Sequence, residues 1–211
     1  MHKTLEKLIT KQITIWQAIE FFNSKWSAID IDVSESIAEN TYDQLTAYLS
    51  GLTGKELDDY EILCVEKMVD FEIGGYKFKG AIDLLLRNAN GDIIVVDHKS
   101  HKKLFGRYGK PLKSEEKTLR DYKRQMYLYC EIIHQMYGKY PSKLVWHHFK
   151  TGELSVVDYN EEEHQAAIKW ALDTIEKIKQ DDEFTNKKDF FFCHRICNYR
   201  NYCEYLDEDD E

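Results

Sequence analysis

The chain has 211 residues, 32% of them charged and 13% aromatic, with a formal net charge of −9. That length suits one domain with a sizeable core. No apolar run is long enough to span a membrane, and the charged, amphipathic opening is unlike a signal peptide. Five cysteines without a secreted-type spacing point to a reducing cytoplasm rather than a disulfide framework, and no G-x-x-x-x-G-K-[ST] phosphate loop is present.

In chain order, His2 to Lys25 carries Leu5, Leu8, Ile9, Ile15, Trp16, Ile19 and Phe22 at helical spacing. Ser36 to Ser50 reads as a second helix, with Ser36 as N-cap and Glu39 completing a capping box. Strands follow over about Ile62 to Lys99, with turns at Gly74-Gly75 and Asn88 to Gly91. The segment His101 to Lys113 holds Gly106, Gly109 and Pro111 among its charges and reads as a loop. A helix starts near Ser114 and runs to about Tyr137; Lys143 to Lys150 and Glu153 to Tyr159 form another hairpin at Thr151-Gly152. Asn160 caps a last long helix through Lys179. The order αα–βββ–α–ββ–α predicts an α/β (α+β) fold, a central mixed sheet flanked by helices. The prediction is one domain over residues 1–211, closed by a cysteine-containing clasp at about 190–205 and an acidic tail at 204–211.

The chemistry concentrates in the hairpin Gly80-Ala81-Ile82-Asp83 and Val95-Val96-Asp97-His98-Lys99. Unpaired ionised groups cost several kcal/mol to bury, roughly, so such positions bind metal, pair with each other or react. If Ala89-Asn90-Gly91 form a three-residue loop with Gly91 left-handed, Asn88 faces Asp92 and Asp83 faces Asp97. Lys99, two residues on, shares their face. A two-residue Asn90-Gly91 turn would instead set Asp83 opposite His98. Charges on a solvated edge are the plainer alternative, and the unbroken apolar run Ile93 to Val96 argues against it. Opposed carboxylates repel unless a cation lies between them. A divalent ion meets that need, and Lys99 can steer a water or a developing negative charge.

Asp, a turn, then Asp-x-Lys on the next strand resembles the PD-(D/E)XK nuclease superfamily with its restriction-endonuclease-like core. Gln125-Met126-Tyr127-Leu128-Tyr129 matches the Q-x3-Y helix of its RecB-like branch, and His2-Lys3-Thr4-Leu5-Glu6 resembles that branch's H-x-x-L-E helix. Cys193, Cys197 and Cys203 resemble the cysteine cluster of its iron–sulfur members, which include CRISPR-adaptation exonucleases. Their spacing here is C-x3-C-x5-C rather than C-x2-C-x5-C. Those members also carry a further cysteine and a glycine upstream of the histidine, positions that would precede Met1.

The resemblance implies a deoxyribonuclease, most simply an exonuclease of DNA recombination, repair or phage/CRISPR DNA processing. Mg2+ or Mn2+ would be held by Asp83, Asp97, the backbone carbonyl of His98 and His2. Lys99 would act on the attacking water, Gln125 would position Lys99 or contact the scissile region, and Tyr129 would support them. Gln125 and Tyr129, four apart, share a helix face, although Tyr129 alone reads as a core aromatic. Glu66 takes a position where the family often has an acid and is expected to be outer-shell or structural. The three cysteines would hold an iron–sulfur cluster or Zn2+, with His194, Cys64 or Cys130 as a fourth ligand, or else stay as reduced thiols in an aromatic clasp. Ten cations lie between Lys99 and Arg124 against Glu115, Glu116 and Asp121; Lys102, Lys103, Arg107, Arg120 and Arg124 are the candidate DNA contacts. A helicase, recombinase or CRISPR-adaptation partner follows only by analogy. A non-catalytic DNA-binding or assembly subunit with the same fold is the second reading.

Overall fold

The computed structural model describes residues 1–28, 35–100, 103–106, 109–183, 189–195, 197 and 199–204. Two compact units are present, Met1–Leu172 and Asp173–Glu211.

In the first unit, the opening amphipathic stretch makes two helices, α1 (His2–Ile9) and α2 (Ile15–Trp26), where the spacing alone predicts one. The break has a local cause. The Thr10 hydroxyl donates to the Glu6 carbonyl at 2.7 Å, and Lys11 turns left-handed at φ 57°. Thr14 then restarts the chain with a capping box. Its side chain accepts from the Gln17 amide, and the Gln17 side chain accepts from the Thr14 amide at 2.9 Å. Helix α3 spans Glu35–Gly51, so Ser36 lies inside the first turn and is not its N-cap. Leu5, Phe22, Leu45 and Leu49 pack these helices together with Phe149.

The sheet has five strands in the order β1 (Glu61–Ile73), β2 (Tyr76–Arg87), β3 (Ile93–Lys99), β4 (Lys143–His148) and β5 (Glu153–Asp158). Neighbours are antiparallel except β3 and β4, which run parallel across helix α4 (Glu116–Tyr137). Both turn predictions agree with the register. Ile73 faces Tyr76 across Gly74-Gly75, both at positive φ. Across the next loop Arg87 faces Ile93, Gly91 sits at φ 83°, and the Asn88 amide donates to the Asp92 carbonyl at 3.0 Å. This is the three-residue loop. Helix α5 (Glu161–Gln180) is capped by Asn160, whose side-chain oxygen accepts from the Glu163 amide at 2.9 Å.

Strand β3 is apolar on both faces because both are covered. Ile93 and Val95 join Leu85, Leu144, Trp146, Met126 and Ile133 in the main core, while Ile94 and Val96 meet Leu84, Leu86 and Val145 in another. At Gly74, an added Cβ would lie 2.8 Å from a Leu172 methyl, on a backbone at φ 58°. Gly74→Ala should therefore cost about 2 kcal/mol in urea unfolding, and Gly75→Ala, with open space around it, about 1. Equal losses would show that the Leu172 contact is immaterial.

The described residues of the second unit include the end of α5, the short helix α6 (Phe190–Arg195) and a 3-10 turn at Arg200–Tyr202. The predicted acidic tail lies outside the described residues beyond position 204. No helix among the described residues is long and apolar enough to cross a membrane.

Candidate metal centre

The β2–β3 register pairs Leu84 with Val96, and one further step sets Asp83 opposite Asp97. Both are buried, at 8% and 2% exposure. On the other side of Asp83, β1 pairs Val65 with Leu84 and then Lys67 with Ile82. Glu66 therefore stands opposite Asp83 at the skipped step, with its backbone left-handed at φ 44°. Helix α1 brings His2 over the pair. Its Nδ1 lies 3.1 Å from Glu66 Oε1 and 3.5 Å from Asp83 Oδ2. Among the described residues, His2, Glu66 and Asp83 form the set whose potential ligand atoms all lie within 4.8 Å of one another. Two carboxylates and an imidazole from three separate elements suit Mg2+ or Mn2+.

Asp97 lies beside this set rather than in it. Its Oδ2 is ion-paired with Lys99 Nζ at 2.6 Å, because residues two apart on β3 share a face. Lys99 also donates to Gln125 Oε1 at 2.9 Å, and Gln125 Nε2 donates to the Tyr129 hydroxyl at 2.8 Å. The Lys99 ammonium sits 4.5 Å from the Tyr122 ring centroid. Residues 122, 125 and 129 are spaced three and four apart on α4, so helical spacing carried the signal for Tyr122 that the motif comparison passed over.

The electrostatics separate the carboxylates. Burial opposes ionisation of Asp83, but the His2 imidazole and the His98 amide, which donates to Asp83 Oδ2 at 2.7 Å, hold it below its usual range. Burial, and then the charge of Asp83, push Glu66 upward. Burial lifts Asp97 to about 6 despite Lys99. The hydrogen bond to Asp83 raises His2. The first turn of α1 sets the His2 ring edge-on to His98 and Phe149. Glu66, expected as an outer-shell or structural group, falls among the three convergent ligand candidates.

His98 is fixed by its amide, and its ring turns to the opposite face of β3, with Nδ1 at 2.9 Å from His147 Nδ1. Burial and His147 pull His98 down to about 3, and burial with His148 pulls His147 to about 4. An unfolded His147 takes up its proton near the ordinary value of ~6.5. The stability gained by keeping it neutral is thus complete above that pH and lost as pH falls toward 4. We expect His147 to contribute a loss of about 2 kcal/mol between pH 7 and 4.5, with His98 adding its own, so His147→Gln should reduce the slope without abolishing it; urea titrations at each pH check it, and an unchanged slope would assign the loss to other groups.

Of the candidate DNA contacts, Lys103 and Arg120 are exposed, and Arg124 lies over the Trp170 ring at 4.3 Å; Lys102 and Arg107 fall outside the described residues. Cys193, Cys197 and Cys203 are free thiols of intermediate exposure. They do not form a second convergent ligand set among the described residues. Cys130 is buried in the main core, with Cys64 packed against it.

No curated protein matches the chain. The crystal structure of SSO0001 is similar over 82% of this chain and 72% of its own, with 21% identity and a TM-score of 0.39. The family model for the PD-(D/E)XK nuclease superfamily matches residues 1–204, the stretch that contains the Asp83–Asp97–Lys99 hairpin, His2 and Gln125. The chain belongs to the PD-(D/E)XK nuclease superfamily.

Proposed function

We propose that the chain is a Mg2+- or Mn2+-dependent deoxyribonuclease of the RecB-like branch, working as an exonuclease in DNA processing. The observation that carries this is the convergence of His2, Glu66 and Asp83 within 4.8 Å, beside a lysine held by Asp97 and Gln125. Glu66, Asp83 and His2 would hold the ion, with Asp97 and the His98 carbonyl at its margin. When bound, it supplies charge for a phosphate oxygen and acidifies a water.

The chain's own residues then have separable tasks. Asp97 and Gln125 fix the Lys99 ammonium, which meets negative charge as it develops on the phosphate. Tyr129 orients Gln125, and Tyr122 closes one side of the ammonium. The exonuclease assignment rests on the likeness of His2 to Glu6 and Gln125 to Tyr129 to the RecB-like motifs. Incubation of end-labelled single- and double-stranded DNA with Mn2+, Mg2+ or EDTA tests it. Metal-dependent release of short products from an end is expected. Internal cuts would make the chain an endonuclease, and DNA binding without cleavage would favour the non-catalytic subunit.

A further inference from the structure

Consecutive residues of α4 face two different sites. Gln125 reaches Lys99, whereas Arg124, about 100° around the helix, lies over the Trp170 ring at 4.3 Å. On that flank, α4 and α5 enclose a groove of about 460 Å³. Its floor is small and apolar, made by Ala166, Ala167 and Leu119, with Tyr127 at its inner side. Arg120, Lys123 and Arg124 line its walls, together with the carboxylates of Glu116 and Glu163. Lys123 is neutralised by Glu163 at 2.6 Å, but Arg120 and Arg124 share the single carboxylate of Asp121, at 3.7 and 3.4 Å. Arg120 is 58% exposed along its side chain and Trp170 38% exposed overall. Lys117, Arg120 and Arg124 follow one another at helical spacing on α4, a short basic stripe on a chain whose net charge is −9.

We propose that this groove takes one unpaired base of a DNA strand whose scissile phosphate lies at the metal centre, a reading that rests on the proposed nuclease function. A slot with an apolar floor, and at its edge Arg124 held over the Trp170 ring with Arg120 beside it, offer an unstacked base and its phosphates the contacts they require. A paired base within a duplex offers no free face to the slot. The groove and the Lys99 site flank opposite sides of α4, about one helix diameter, ~10 Å, apart. The base held is therefore a few nucleotides from the bond cut.

The test uses Lys99→Ala protein without metal and oligonucleotides carrying 2-aminopurine at successive positions. Single strands should show position-dependent quenching, lost in Trp170→Ala, with anisotropy reporting about tenfold weaker binding. Ala166→Glu, which sets a carboxylate on the exposed floor, should do the same without touching the aromatic pair. Circular dichroism identifies any variant that fails to fold. Equal quenching with duplex, or unchanged binding in both folded variants, overturns the proposal. If wild-type protein leaves DNA intact but the quenching pattern stands, the nuclease reading fails and the groove survives; if it cleaves DNA but both variants bind normally, the groove alone fails.

Discussion

Asp83→Asn is expected to abolish metal-dependent DNA cleavage, by roughly 10³-fold or more on the scale of a lost key electrostatic group, while leaving the protein folded. The asparagine oxygen can still accept from the His98 amide, which Asp83 Oδ2 meets at 2.7 Å. What disappears is the charge that faces Glu66 and His2. That charge pushes Glu66 upward, but His2 and the His98 amide hold Asp83 below its usual range, so the fold stabilises the ionised carboxylate. Asp83→Asn should thus be folded but modestly less stable than wild type in urea at neutral pH. Mn2+ titration calorimetry should show weakened binding. Lys99→Ala gives the contrasting pattern: Mn2+ binding retained and turnover lost, because Lys99 touches Asp97 and Gln125 rather than the convergent set. An Asp83→Asn enzyme that cuts at the wild-type rate would remove Asp83 from the centre. Loss of Mn2+ binding in Lys99→Ala would instead mean that Asp97 needs its lysine to stay in place.

The hairpin was legible because its determinants are local. Gly91 dictates the turn, the turn dictates the register, and a two-residue period does the rest. Gln125 and Tyr129 were legible for the same reason, since helical spacing set them on one face. The break between α1 and α2 was encoded too, in Thr14 and Gln17, but a hydrophobic count that runs from Ile9 to Ile15 conceals it. Other features depend on contacts distant in sequence. His2 was a candidate through its likeness to the H-x-x-L-E helix, but its partner Glu66, 64 residues on, emerges only when helix α1 docks against β1. The cysteine spacing had a pattern but no neighbours fixed by it, and the described sulfurs do not converge. Likewise the basic run from Lys99 to Arg124 reads as one patch in sequence. Folding divides it, so that Lys99 enters the centre, Lys123 is neutralised by Glu163, and Arg124 turns to Trp170.

Glu66 was the least legible, and its backbone explains why. Glutamate has no preference for the left-handed region, which costs an L-residue about 1–2 kcal/mol, and a strand interior gives no hint of it. Yet φ at Glu66 is 44°, at the step where the β1–β2 pairing skips, and its carboxylate lies 3.1 Å from His2. Strain of this kind persists where surrounding structure overrides it, commonly at functional centres. The consequence is an inverted order of stability between two variants. In an ordinary strand, glycine is less stable than alanine by roughly 0.5–1 kcal/mol. At this position glycine relieves the strain that alanine keeps, so Glu66→Gly should exceed Glu66→Ala in stability by about 1 kcal/mol. Both variants lose the carboxylate, so both should bind Mn2+ more weakly and cleave DNA poorly. Urea unfolding of the pair, set beside their Mn2+ titrations, separates the backbone effect from the charge effect. If Glu66→Gly proves the less stable, the backbone at this step is not held left-handed. If both variants bind Mn2+ as wild type does, the carboxylate of Glu66 serves His2 alone, and the ion rests on Asp83 and Asp97.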